Sequence, residues 1–170
     1  KLSIFMSMKQ MKSFYKWFPH NKGGRFSKWF GNNDIVINFE NDGKELKYWL
    51  ENNPNDPSTK SWSRNLRNYS LYFKEGLTWS SVGGTNIGAR YTPQGFLFDT
   101  SGPMLFCDNL FYMLGLINTV VFGSFIKIFS QTLSTGSGDF AKVPYKIDQK
   151  HLFEINTLVL NSIKIAKSDW

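Results

Sequence analysis

Apolar residues alternate with polar ones in some stretches of this 170-residue chain and recur every third or fourth position in others. That change of period marks out the predicted elements. Residues 34–39 (DIVINF) alternate and are β-branched, which predicts a strand, and Asn41-Asp42-Gly43 stops it. Leu46, Trp49 and Leu50 then fall at helical spacing, so residues 44–52 read as a short amphipathic helix. Residues 1–18 are apolar and basic, a strand or a short helix. Residues 21–33 and 53–60 are turn-rich, the second with two prolines. Residues 61–75 read as a helical turn entering an extended segment.

From Leu77 the pattern turns to short apolar runs broken by Gly, Pro and Asn, at residues 77–82, 87–91, 96–99 and 104–107. Thr92-Pro93-Gln94-Gly95 suits a tight turn joining two antiparallel strands, because proline presets the backbone angle the turn needs. Asp108 or Asn109 is placed to cap a long helix over 110–133. Residues 140–145 predict a further strand cut short by Pro144. Asp148 is placed to cap a final helix carrying Leu152, Ile155, Leu158 and Val159 on one face. Residues 110–128 hold 13 apolar side chains in 19, long enough to test as a membrane span. Asn118, Thr119 and Ser124 interrupt the run, and a buried core helix is the better reading.

Charge sharpens this outline. Residues 1–75 carry 13 basic and 7 acidic side chains, against 7 and 6 in the remainder. Two runs, 1–33 and 57–74, contain no acid at all. Both are laced with aromatics, among them Trp17, Phe26, Trp29, Trp62 and Tyr69. Cations beside flat rings suit a polyanion, since counterion release favours binding and rings stack on bases; a solvated basic face over core aromatics is the plainer alternative. One cysteine, Cys107, and two histidines exclude a disulfide scaffold and a structural zinc module. The chain opens at Lys1 without a signal peptide, which reads most simply as a piece of a longer cytoplasmic protein.

Catalytic patterns are sparse. There is no P-loop, nucleophile elbow or zinc-protease motif. Asp34 with Glu45-Leu46-Lys47 has the composition of a magnesium nuclease site. The helical period of KELKYWL sends the acid and the lysine in different directions, so a metal-dependent nuclease domain stays the alternative reading. Asn53-Pro54-Asn55-Asp56 lacks the second proline and the aromatic of an amino-methyltransferase motif. A protein-interaction module with a basic face is a third possibility.

The stretch FYKWFPHNKGGRFSKWFGNNDIVINFENDGKELK (residues 14–47) resembles a segment of the adenine-specific DNA methyltransferases of bacteriophage-exclusion (BREX, or phage-growth-limitation) systems. YFKEGLTWSS (72–81), ARYTPQGFLFDTSGPMLF (89–106) and IKIAKSDW (163–170) agree with it in order. Residues 114–129 with 138–145 are similar to target-recognition domains of restriction-modification enzymes. The family's Gly-rich cofactor segment and Asn-Pro-Pro-aromatic motif are absent from this chain. The resemblance therefore implies the part that selects the DNA site, with no catalytic, cofactor-binding or metal-binding residues of its own. S-adenosylmethionine is expected for the parent enzyme. The implied partners are double-stranded DNA, the missing catalytic domain and other defence-system proteins, with no membrane.

The expected fold is α+β: a small twisted, mainly antiparallel sheet on the long buried helix. Residues 1–147 form the recognition domain, and 148–170 a helix leading toward the rest of the chain. Lys22, Arg25, Lys28, Lys60, Arg64 and Arg67 are the candidates for phosphate contacts. Arg90 and the loop 78–85, beginning at Thr78, are the candidates for base readout, because arginine pairs bidentately with guanine. Trp79 is expected in the core.

Overall fold

The alternation that predicts strands survives in the computed structural model as short segments, which assort into two sheets. Residues 15–56, 61–82, 87–130 and 134–170 are described. The expectations for residues 1–14, for Lys60, for the 83–85 part of the loop and for the end of the long helix lie outside them.

In the first sheet β1 (Trp17–Asn21) is central. It pairs antiparallel with β2 (Val36–Asn38), Phe18 opposite Ile37. The second sheet centres on β3 (Gly76–Thr78), antiparallel to β4 (Arg90–Thr92), with Leu77 opposite Tyr91. Its other edge is β6 (Met104–Leu105). β5 (Leu97–Phe98) lies parallel to β1 in the first sheet. The expected hairpin about Thr92-Pro93-Gln94-Gly95 is therefore corrected: a turn is present, but its two strands leave for different sheets. Phe73 holds the turn from below, donating to Phe96 O and accepting from Gly95 N. The fold is α+β as read, with two three-stranded sheets in place of one.

The first helix, α1, spans Glu40–Asn52. Asn41, Asp42 and Gly43 all have left-handed backbone angles, so the regular helix is the 44–52 stretch that the spacing predicts. Short 3₁₀ turns follow at Trp62–Arg64 and Tyr69–Leu71. The predicted long helix is two: α2 (Leu110–Ile117) and α3 (Val120–Phe129), bent by 74°. The break has a local cause. The Asn118 amide donates to Ala89 O at 3.0 Å and accepts from Ala89 N at 2.9 Å, standing in for a strand's backbone. Thr119 then accepts from Phe122 N and caps the second helix. No single helix among the described residues is long and apolar enough to cross a membrane.

The expected strand at 140–145 is also corrected. Gly136 and Asp139 start a one-turn helix, α4 (Ser137–Phe140), whose end delivers Phe140 and Val143 to the core. The last helix, α5 (Leu152–Ser168), begins after His151 and not at Asp148. The Asp148 carboxylate instead accepts from Lys150 N and the His151 ring, one turn too early to cap. Val159 and Ile163 of α5 share a core with Leu77, Leu114 and Ile126, and each such burial contributes roughly 1.5–3 kcal/mol. Gly115 permits the close approach of α2 and α5: a Cβ there would lie 2.9 Å from Val159 Cγ2.

Candidate nucleic-acid interface

Within the first basic run β1 buries Phe18 and His20, and Lys22 is exposed just beyond the strand. The turn after it is fixed by unusual backbone and by long-range hydrogen bonds. Trp29 and Asn32 take left-handed angles. Trp29 N donates to Ala89 O, Tyr91 N donates to Trp29 O, and Asn32 Nδ2 donates to Arg25 O at 2.8 Å. Lys28 Nζ donates to Asn118 O at 2.8 Å, so this predicted phosphate ligand also ties the turn to the helix elbow. Lys167 of α5 lies 4.9 Å above the Phe30 ring, which joins the last quoted motif to the first. Arg25 and Phe26 stand exposed on this fixed turn.

The second run is anchored differently. Lys47 lies 4.6 Å over Trp62 and 4.5 Å over Tyr69, and its ammonium pairs with Asp42 at 2.7 Å. The contact sets the 62–69 segment on α1, with Arg64 and Arg67 exposed. Arg67 Nε donates to Arg64 O at 3.1 Å, across a 3₁₀ turn and not along a helix face. Lys47 is thus committed to rings and to Asp42, while Glu45 accepts from Asn38. The acid and lysine of the nuclease reading serve separate local contacts.

The two runs meet at one groove of about 350 Å³, lined by His20 and Lys22 from the first, Asn65 and Leu66 from the second, and Asp99. His20 Nε2 lies 3.9 Å from Asp99. Burial holds the His20 imidazole below the usual histidine range; Asp99 pulls it up and Lys22 pushes it down again. His20 and Asn65 were missed by sequence reasoning. The available signal was proximity in sequence: His20 lies two residues before Lys22, and Asn65 lies inside SRNLR.

The candidate readers lie elsewhere. Arg90 is 2% exposed and Thr78 2%, and they face each other across the β3–β4 register. Thr78 Oγ1 donates to Pro103 O. Burial pushes the Arg90 guanidinium down to about 10, so it stays charged at neutral pH, and its Nε has no hydrogen-bond partner among the described residues. Asp99 Oδ1 accepts from Ser101 N and Gly102 N. Neither Arg90 nor Thr78 presents an exposed group to a base edge, a correction that follows from their place inside the second sheet. Trp79 is core as expected: 1% exposed, stacked 3.9 Å on Phe140, with Nε1 donating to Thr135 O. No cluster of three or more metal-ligating side chains occurs among the described residues.

No family model matches the chain. Whole-sequence comparison does find relatives. The chain is 39% identical over 160 residues to the adenine-specific methyltransferase BrxX of Escherichia coli O9:H4 (strain HS), covering 91% of this chain and 12% of that protein. It is 31% identical over 173 aligned positions to the adenine-specific methyltransferase PglX of Lacticaseibacillus casei (strain Zhang), covering all of this chain and 14% of that protein. The chain is thus homologous, along nearly its whole length, to one segment of the BrxX and PglX adenine-specific methyltransferases, and spans about an eighth of them.

Proposed function

We propose that this chain is the DNA-binding, target-recognition portion of an adenine-specific DNA methyltransferase of a phage-defence system. The observation that carries the reading is the groove where Lys22 of one acid-free run meets Asn65 of the other. Arg25, Arg64 and Arg67 are exposed beside it in sequence, on segments held by the Lys28–Asn118 bond and the Lys47 cage. Exposed cations on anchored segments position a duplex by its phosphates without reading sequence. In this reading the catalytic domain and its S-adenosylmethionine site belong to the rest of the enzyme. Other defence-system proteins are further partners.

Arg90 and Thr78 then act on recognition indirectly. Their rung fixes the point at which the chain leaves β3 and enters the loop that follows. Arg90→Ala should lower the melting temperature and, in the full enzyme, relax the methylated sequence at one position. A lowered melting temperature with an unchanged methylated sequence would leave Arg90 purely structural.

Binding to duplex DNA tests the main reading. The chain should bind at about 10⁻⁴–10⁻⁶ M at physiological salt, more weakly as salt rises. Removing charge at Lys22, Arg64 or Arg67 should weaken all sequences alike and reduce the salt slope by about one unit each. Affinity indifferent to salt would sink the proposal. The chain alone should transfer no methyl group from labelled S-adenosylmethionine to DNA.

A further inference from the structure

Between the end of the second acid-free run and the start of α2, the surface turns acidic at Glu75 and Asp108. An open cavity of about 820 Å³ has Tyr72, Phe73 and Phe106 among its lining residues, with Glu75 and Asp108 at one end and Lys74 in its wall. A second cavity of about 200 Å³ adjoins it through the shared Glu75, Cys107 and Asp108, and reaches Asn156 on α5. Asn156 Oδ1 is buried there and accepts no hydrogen bond. Phe153, Asn156 and Leu160 are spaced three and four apart, so they share one flank of α5. Phe153 is 85% exposed and Leu160 47%. The groove therefore runs from an aromatic floor, past two carboxylates and an unfilled acceptor, onto an apolar helix flank.

Resting on the reading of the chain as part of a methyltransferase, we propose that this groove seats a protein segment, apolar with a basic side chain, from the remainder of that enzyme. The carboxylates of Glu75 and Asp108 repel a phosphate backbone and attract a lysine or arginine. The Asn156 oxygen wants a donor, which such a side chain supplies. Phe153 and Leu160 want apolar cover, since exposed aromatic and aliphatic groups beside a polar rim mark protein contacts. The relatives devote all but 12% and 14% of their length to other parts, so the same polypeptide holds ample chain to supply it.

The test uses the full-length methyltransferase, with Phe153→Glu plus Leu160→Glu as one variant, Asp108→Lys as another and Phe153→Ser as a milder third. Amide exchange at residues 106–110 and 153–160 should quicken at least tenfold in the first two and by less in the third. Limited proteolysis should release this segment from the rest, and methylation should fall alike at every site. The salt slope of DNA binding should not move, because Lys22, Arg25, Arg64 and Arg67 are untouched. Exchange and proteolysis identical to the unmodified enzyme would overturn the proposal. So would conversion of a dimer to a monomer by the Phe153 and Leu160 change, which would make the occupant a second copy. Docking that persists in an enzyme with no salt-dependent DNA binding would remove the recognition reading alone.

Discussion

The molecule has two cores built on different rules. One gathers Leu77, Leu114, Ile117, Ile126, Val159 and Ile163 from helices and one sheet face, around the Trp79–Phe140 stack. The other is made of rings: Phe18, Phe39, Tyr72, Phe73 and Phe98 meet edge to face at 5.2–6.4 Å, with Leu97 and Met104 filling the gaps. The helical core follows from side-chain period. The ring core depends on backbone that most residues avoid, with Asn41, Asp42, Asn68 and Phe73 all at positive φ beside it. The candidate DNA groove is built on the ring core, and the acidic groove bridges to the helical one. Geometry fixed by unusual turns thus carries the proposed recognition face.

The largest effect that would separate the two cores is Trp79→Ala. It removes a fully buried ring and leaves a cavity, and should destabilise by about 3–5 kcal/mol in a denaturant melt. Helical circular dichroism should fall with it. If the ring core folds with the helical core as one unit, near-ultraviolet signal from Trp62 and Tyr69 falls at the same midpoint; two midpoints would show separable units. Next is Asn118→Ala. It strands the buried Ala89 N–H, at about 1–3 kcal/mol, while Ala89 O keeps its bond from Trp29 N, and it should loosen the elbow. Gly43→Ala is the matching perturbation of the ring core. Its φ of +71° disfavours any side chain, and a Cβ would lie 2.7 Å from the Phe39 ring. A loss of about 1–2 kcal/mol is expected, with slower helical-core exchange left unchanged.

The smallest effect is with pH. His20 has a lowered pKa in the folded state, so the unfolded chain binds more protons between the ordinary histidine value and the folded one. Stability from the ring core is therefore present above pH 6.5 and declines as pH falls below it. His151 has the opposite sign: its pair with Asp148 raises its pKa and favours the fold at lower pH, but it is exposed and screened. Protection of the Leu97 and Phe98 amides, taken relative to the intrinsic exchange rate at each pH, should fall from pH 7 to pH 5, while that of Val159 stays level. His20→Gln should flatten the difference.

Period carried the helical core into view. The α+β class and the helical periods of α1 and α5 are legible in spacing, although Trp49 and Leu158, placed on their apolar faces, are exposed; the burial of Trp79 follows from its size. What spacing cannot show is where a strand's edge finds its partner. Leu97 and Phe98 pair with β1, some 75 residues away in sequence, because Phe73 redirects the turn between them and β4. Apolar content likewise reads through Asn118 as one helix, since nothing local says that its amide will satisfy Ala89. At the site, composition located the basic runs, but burial of Arg90 depends on tertiary packing of the second sheet. A residue two positions from a turn reads the same whether it points outward or inward.

The exposed Cys107 sits where both cavities of the acidic groove meet, and the chain contains no other cysteine. Burial raises its pKa, so the thiol is protonated at neutral pH and labelling with a maleimide is best driven at mildly alkaline pH. The native sequence therefore carries a ready attachment point for a fluorophore or a spin label. A probe there would report occupancy of the groove by its change in emission or mobility, without any engineered residue.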